Sequence, residues 1–438
     1  MLRSFLLAAS LSMGWMLSPD VQVRLGNGIG YNRTLFLAAL AASALVCALA
    51  ASIIRHPRLA VEGRHTQTGL LVQGLGRVPA VSLILSARLS CVILPSTGLL
   101  VAAGFAFNEI FVYWFPNFGF AFLLLGLITA LQLGGERIAG YAQLFFAAVM
   151  LGSMAVLCLV GISGPVSTSP VSADVGFSVS LPVMFGALLL FLGYDYVPTG
   201  SAMPSGTTHS QLPALVPAIA ALFTALLMFL FWAMLMFQYV AADRLADSTI
   251  PHLITARAIG GNTGRYLMGI AIISGTCAAV NGLYSMALAN LAGLARRHLL
   301  PGHPPGRLKR RRFALLFAVI IGTMMMAGLA GYQILETYIQ AALILWLLMV
   351  GAECLAAGRM LKQLNDSRTW QGFALGAALI AAAVYLMFSS QESFTVIRVI
   401  FVALLVTAGG SALWNRTKPV AEVTLPQAGN SNKTGGFQ

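Results

Sequence analysis

Two apolar stretches half a chain apart carry the same short phrase, in which an aromatic residue follows a glycine and a proline comes five residues after that glycine. The phrase reads Gly14-Trp15-Met16-Leu17-Ser18-Pro19 near the start and Gly193-Tyr194-Asp195-Tyr196-Val197-Pro198 in the middle. This spacing unwinds a helix and restarts it, because proline fits the first turn of the new helix. Unwound backbone inside a bilayer is tolerated only against protein or a water-filled cavity. The paired interruptions therefore predict a solute-binding site at the membrane midplane.

The interruptions free backbone groups that suit a zwitterion. N–H groups at the start of a half-helix attract a carboxylate, and carbonyls at the end of the other half-helix attract an ammonium group. The aromatic residues enclose an apolar side chain or face a cation, or alternatively they pack within the bundle or anchor it at the membrane interface. The expected substrate-binding residues are Met13, Gly14, Trp15, Gly193, Tyr194, Asp195 and Tyr196.

Two charged residues lie deep in predicted spans, where a charge costs several kcal/mol unless it is paired or wet. Asp195 is positioned to receive an ammonium group, to titrate with a proton, or to pair with a protein cation. The alternative is a cap on the second half-helix near Val197 and Pro198. Arg88 either pairs with Asp195, Glu353 or a substrate carboxylate, or extends its long stem toward a cytoplasmic cavity. We expect an Arg88–Asp195 pair that opens during transport.

Ser274 and Thr276 lie in the predicted eighth span and are further candidates for coupling or gating. Small hydroxyl residues let membrane helices pack closely, and the alternative is a sodium site shared with carbonyls of the first span. Glu353 is expected at a solvated helix end. The sequence contains no metal-ligand or nucleophile–base constellation, so we expect no metal, no cofactor and no enzyme activity.

The composition defines the class of protein that must position these residues. Hydrophobic residues make up 58% of the 438 residues, charged residues 9%, and the mean hydropathy is +0.84. We therefore expect an all-α integral membrane protein. Windows of about 20 apolar residues predict about twelve spans, at 2–17, 33–54, 79–106, 116–133, 141–162, 181–203, 213–240, 264–294, 313–330, 334–358, 371–389 and 394–414.

The basic residues indicate an orientation. Most of the 26 Lys and Arg residues fall on the same side as the N-terminus, whereas the opposite side holds Arg24, Arg33, Arg244, Arg257 and Arg265. The positive-inside rule then places both termini in the cytoplasm, with residues 415–438 as a disordered tail. The net charge of +13 reflects this topology, with contact to anionic lipid, and not nucleic-acid binding. An alternative interpretation of the N-terminal stretch is a signal peptide.

The spans divide into two halves of nearly equal length. Helices 1 to 5 occupy residues 1–162 and helices 6 to 10 occupy residues 181–358, followed by two more helices at 371–414. Because five is odd, the second half enters the membrane in the opposite orientation. The chain is thus expected to form a five-plus-five inverted repeat in which the first helix of each half is broken.

Three short motifs resemble the amino acid-polyamine-organocation superfamily, nearest its cationic amino acid transporter branch. They are LQLGGERIAGYAQ at 131–143, FLGYDYVPTG at 191–200 and ALANLAGLARRHLLP at 287–301. The resemblance implies the same inverted-repeat fold with cytoplasmic termini. It also implies transport of an amino acid or related organic amine across the inner (cytoplasmic) membrane.

Together these features predict a secondary active transporter that works by alternating access around helices 1 and 6. No nucleotide-binding loop is present, so a proton, sodium or exchange gradient is expected to drive it. The alternatives are a transporter-derived sensor and a permease of the same fold for another solute. A channel is disfavoured because no pore-loop signature is present.

Overall fold

The computed structural model describes residues 2–61, 67–164, 177–196, 215–246, 248–297, 299, 307–327 and 333–417. In this part of the chain the secondary structure is helical. The helices are α1 (Leu2–Met16), α2 (Pro19–Tyr31), α3 (Arg33–Ile54), α4 (Pro57–Val61), α5 (Gln67–Leu75), α6 (Arg77–Ile110), α7 (Asn117–Leu133), α8 (Glu136–Ser163), α9 (Phe177–Leu190), α10 (Leu215–Tyr239), α11 (Ala242–Ala246), α12 (Pro251–Arg296), α13 (Arg307–Met326), α14 (Gln333–Gln363), α15 (Thr369–Ser389) and α16 (Ser393–Thr417).

Eight of the described helices are long and apolar enough to cross a bilayer, which makes the chain a multi-pass membrane protein. Burial separates inner from outer helices. In the most apolar part of α14, 89% of the residues are buried, and in α12 78%, whereas in α16 only 11% are. The helices α12 and α14 therefore form the interior of the bundle, where both pack along α6, and α16 lies at its edge.

The first span extends beyond its predicted end and consists of two helices, α1 and α2. The apolar window ends at residue 17, but a second helix, α2, follows after only Leu17 and Ser18. Ser18 has extended backbone (φ −61°, ψ 158°) and Pro19 begins α2, as the glycine–proline phrase requires. Each of the two helices is about 20 Å long at 1.5 Å per residue, so neither crosses the hydrocarbon core alone.

The sixth span is interrupted as well. The helix α9 ends at Leu190, Gly193 has a φ of +108°, and residues Tyr194–Tyr196 form a single 3-10 turn. The predicted continuation through Val197 and Pro198 to residue 203 lies outside the described residues. A third interruption was not predicted: Gly260 and Gly261 depart from helical geometry inside α12, so that its first turns form a separate segment.

Several boundaries differ from the predicted ones. The short helices α4, α5 and α11 lie between the predicted spans, and α12 begins at Pro251, before the predicted start at residue 264. The helix α16 continues to Thr417, so the first residues of the predicted disordered tail are helical, and residues 418–438 lie outside the described part. An exact set of twelve spans is therefore not established.

One loop cluster ties the end of α3 to the loop between α14 and α15. The Asp366 carboxylate accepts a hydrogen bond from the backbone N–H of Arg368 at 2.9 Å and lies 3.1 Å from the Arg58 guanidinium. His56 Nε2 is 3.9 Å from the same carboxylate. The Arg368 N–H, together with His56 and Arg58, holds the pKa of the Asp366 carboxyl below its usual range.

Candidate functional site

The interruptions of the first and sixth spans meet at the centre of the bundle. A Cβ atom added to Gly193 would lie 3.3 Å from the Trp15 side chain and 3.4 Å from the Ser12 carbonyl oxygen. The positive φ of Gly193 is a conformation that side-chain-bearing residues rarely adopt. Glycine at this position therefore serves both the local turn and the close approach of the two broken segments.

A buried ion pair occupies this junction. The Arg88 guanidinium on α6 contacts the Asp195 carboxylate of the 3-10 turn, and their side chains are only 3% and 6% exposed. Trp346 Nε1 on α14 donates a hydrogen bond of 3.1 Å to the same carboxylate. The structure thus brings together the two intramembrane charges that the sequence singled out.

Aromatic rings surround the pair. Tyr196 and Trp346 are stacked with centroids 5.0 Å apart and an angle of 9°, and Trp15 lies 6.0 Å from Trp346. The Arg88 guanidinium carbon is 5.2 Å from the Trp346 ring and 5.9 Å from the Tyr196 ring, within the range of cation–π attraction. Trp346 was missed by the sequence analysis, although a tryptophan within an apolar run of α14 was a signal for it.

Further charges lie next to the ion pair. Arg55 at the end of α3 donates a hydrogen bond of 3.1 Å to the Tyr194 carbonyl oxygen. Glu353 on α14 is 1% exposed and lies close enough to Arg88 to interact with it electrostatically. The expectation of a solvated Glu353 is therefore wrong, because the residue faces the bundle interior.

Several buried polar atoms at the junction have no hydrogen-bond partner within the described part of the chain. They include Ser12 Oγ, Trp15 Nε1 and Ser18 Oγ on the first span, the Tyr196 hydroxyl, and Nε and Nη1 of Arg88. Unsatisfied groups of this kind cost about 1–3 kcal/mol each, so a native protein provides them with a partner such as water or a ligand. These atoms lie together at the two breaks.

Met13 and Gly14 lie on the side of α1 that packs against the rest of the bundle. A Cβ atom on Gly14 would come within 2.8 Å of Gln143 Nε2 and 3.0 Å of the Ala278 carbonyl oxygen, so the glycine allows α1 to approach α8 and α12. Met13 is partly buried and packs against the core. Neither residue shares a described contact with the ion pair.

The two hydroxyls of the eighth span are bonded to backbone carbonyls. Ser274 Oγ donates to the Ile270 carbonyl of its own helix at 2.6 Å, and Thr276 Oγ1 to the Leu99 carbonyl of α6 at 3.5 Å. These contacts agree with the helix-packing interpretation.

A chain of buried amides, not predicted from sequence, holds α1 to its neighbours. Gln132 Nε2 donates to Asn281 Oδ1 at 2.9 Å, Asn281 Nδ2 donates to Gln143 Oε1 at 2.8 Å, and Gln143 Nε2 donates to the Ser10 carbonyl at 3.0 Å. All three side chains are at most 1% exposed. The chain connects α7, α12, α8 and α1.

An acidic residue beside the first break was also missed. Asp20 on α2 pairs with Arg24 at 2.9 Å, and the two side chains are 26% and 27% exposed. Asp20 lies beyond the apolar window, which ends at residue 17, so hydropathy alone predicts a loop here. The spacing of four residues between opposite charges was the available signal for a helix.

The donor set at the junction does not match a divalent-metal site. Among the described residues no group of three or more His, Cys, Asp and Glu side chains is placed to hold a metal ion. The carboxylates nearest the two breaks, Asp20 and Asp195, each face an arginine.

Comparisons with known proteins define the fold. No family model and no curated protein matches the sequence. The chain is similar to crystal structures of a manganese transporter from Eremococcus coleocola. A single-residue variant of that protein superimposes with a TM-score of 0.61 at 14% identity, over 95% of both chains. A complex with an aromatic bis-isothiourea compound gives 0.56 at 12% identity, again over 95% of both chains.

These matches correct one expectation and agree with another. The assignment to the amino acid-polyamine-organocation superfamily is wrong: no family model supports it, and the structural neighbours are a manganese transporter instead. The neighbours are transporters and not enzymes, in agreement with the expectation that the chain is not an enzyme.

Proposed function

We propose that the chain is a secondary active transporter whose solute binds where the interruptions of the first and sixth spans meet. The observation that carries this proposal is the buried Arg88–Asp195 pair, set among broken helix ends, aromatic rings and unsatisfied polar atoms. Broken helices in the membrane interior are the usual site of substrate binding in such proteins. The fold shared with a known transporter supports the same class.

We further infer a five-plus-five inverted repeat. The first repeat would contain α1 with α2, α3, α6, α7 and α8, and the second α9 with the 3-10 turn, α10, α12, α13 and α14. The helices α15 and α16 would be additions. The break in the first helix of each repeat, together with the basic residues on one side, supports this arrangement, cytoplasmic termini and a location in the inner membrane.

The site favours an amino acid or related organic amine. Arg88 and Asp195 together present one positive and one negative group, so a zwitterion is able to exchange partners with both without leaving a buried charge unpaired. The Trp15, Tyr196 and Trp346 rings supply an apolar wall or a face for an ammonium group. Opening of the pair would then accompany each transport cycle, driven by a proton, sodium or exchange gradient, with Ser274 and Thr276 as further coupling candidates.

A divalent cation is the second candidate substrate, because the structural neighbours are named as a manganese transporter. The arginine partners of Asp20 and Asp195 weigh against it, since each guanidinium already neutralises the carboxylate that a metal ion would need.

Counterflow in proteoliposomes tests the proposal. The purified chain is reconstituted, and exchange of labelled amino acids, organic amines and Mn²⁺ is measured for the natural sequence and for Asp195→Asn. We expect exchange of one class of amino acid or amine, lost in Asp195→Asn. Exchange of Mn²⁺ alone would replace the proposed substrate by the second candidate, and no exchange of any compound would favour a sensor.

A further inference from the structure

An apolar groove of 370 Å³ lies on the outer surface of the bundle between α7 and α13. The residues that line it recur at helical spacing, from Phe122 to Leu133 on α7 and from Leu315 to Val319 on α13. A Cβ atom added to Gly126 on its floor would meet no atom within 4 Å. The groove is therefore open at Gly126.

The length of the groove corresponds to half of a bilayer. Eleven residues separate Phe122 from Leu133, which is about 16 Å along a helix, and one leaflet contributes about 15 Å of hydrocarbon. At the Phe122 end of the groove α7 and α13 come together, since a Cβ atom on Gly322 would lie 3.6 Å from the Phe122 ring. The other end opens at the turn between α7 and α8.

Basic side chains stand at that open end. Arg311 Nε donates a hydrogen bond of 3.1 Å to the carbonyl oxygen of Leu133, the last groove residue of α7. Arg311 lies one helical turn before Leu315, on the same face of α13. Both Arg311 and Arg312 are exposed, and within the described residues neither forms an ion pair, whereas Arg310 is paired with Glu136.

We propose that this groove binds an anionic phospholipid from the leaflet that faces the α7–α8 turn. One acyl chain would lie between α7 and α13, and the phosphate would be held by Arg311 and Arg312. The negative charge of the headgroup complements the two arginines, and the length of the groove along α7 matches the thickness of one leaflet. The inference does not depend on the transported solute.

Native mass spectrometry of the purified full chain tests the site with phosphatidylglycerol and phosphatidylcholine as probes. We expect the natural sequence to retain phosphatidylglycerol preferentially. The double variant Arg311→Gln/Arg312→Gln should weaken this binding about 25-fold, since a basic residue near an anionic headgroup strengthens attachment about five-fold. Gly126→Leu places a side chain in the groove and leaves both arginines in place. It should reduce the preferential retention of phosphatidylglycerol, because the added side chain and the acyl chain cannot occupy the same space.

Two control variants carry the same chemical changes elsewhere. Lys362→Gln removes an exposed positive charge at the end of α14, and Gly152→Leu adds a side chain at an exposed position of α8 that is equally open. Both should bind phosphatidylglycerol as the natural sequence does, and thermal melting should confirm that every variant is folded. Equal retention of the two lipids, unchanged binding by Gly126→Leu, or equal losses in the controls would each overturn the proposal.

Discussion

The buried pair of Arg88 and Asp195 predicts a strong thermodynamic coupling between two residues that are 107 positions apart. Replacing Arg88 by Gln removes the guanidinium and leaves the Asp195 carboxylate in a site where its side chain is 6% exposed. Breaking a buried pair in this way costs about 3–5 kcal/mol of unfolding free energy, because the remaining charge stays desolvated. Asp195→Asn should cost a similar amount, since it leaves the guanidinium uncompensated.

The double variant Arg88→Gln/Asp195→Asn removes both charges and keeps both side chains polar and close to their original size. Replacing a whole buried pair by neutral groups is often close to neutral. We therefore expect the double variant to be more stable than either single variant, with a coupling energy of at least about 3 kcal/mol.

Equilibrium unfolding in mixed micelles with increasing sodium dodecyl sulfate, followed by tryptophan fluorescence, measures these free energies. Arg398→Gln serves as the control, because Arg398 is exposed on α16 and its replacement should change stability by less than about 0.5 kcal/mol. Single variants whose effects simply add in the double variant would refute the reasoning, since additivity would mean that the two charges do not stabilise each other.

Three further predictions follow from single positions. Gly193→Ala should destabilise the fold by about 1–3 kcal/mol, because alanine is strained at a φ of +108°, whereas Gly186→Ala within α9 should be neutral or stabilising; equal melting curves would contradict this. Asn281→Ala should cost about 1–3 kcal/mol, because it removes a partner of the buried Gln132 and Gln143 side chains. Asn290→Ala should cost less, because among the described residues the Asn290 amide donates to Met286 of its own helix; the reverse order would show that the amide chain does not hold α1. For Asp366, the lowered pKa contributes stability that is present above about pH 3.8 and is lost as the pH falls through the folded-state pKa. The gap in melting temperature between the natural sequence and Asp366→Asn should therefore shrink below about pH 4, and a constant gap would exclude this role.

Apolarity and charge placement predicted the parts of the fold that depend on the membrane itself. The long spans around α3, α6, α8 and α10 were located within a few residues because each must be apolar over its whole length. The sequence also predicted the pairing of Arg88 with Asp195, because a charge deep in hydrocarbon is costly unless it has a partner of opposite charge or contact with water.

The elements that were missed derive their stability from the bundle. The helix α2 contains Asp20, Arg24 and three glycines, so no apolar window predicts it. The surrounding protein buries one face of it. The hydrogen bonds of the amide chain also join residues far apart in sequence: Gln132 and Asn281 are 149 residues apart. The sequence around each residue gives no sign that its side chain has such a partner.

The mistaken family assignment has a physical origin. The motif at 131–143 joins α7 to α8 through Gly134 and Gly135, and Gly135 has a φ of +104°. A tight turn between two membrane helices requires such glycines in any family. The motif at 131–143 therefore indicates a tight turn between two membrane helices and does not by itself identify a family.

Transport by the double variant Arg88→Gln/Asp195→Asn tests the central claim most directly. Because this variant is expected to remain folded, its counterflow activity in proteoliposomes separates a role in transport from a role in stability. The account predicts that it is stable but does not exchange the solute that the natural sequence exchanges. Exchange at the natural rate by the double variant would contradict the claim that solute binds at the Arg88–Asp195 pair.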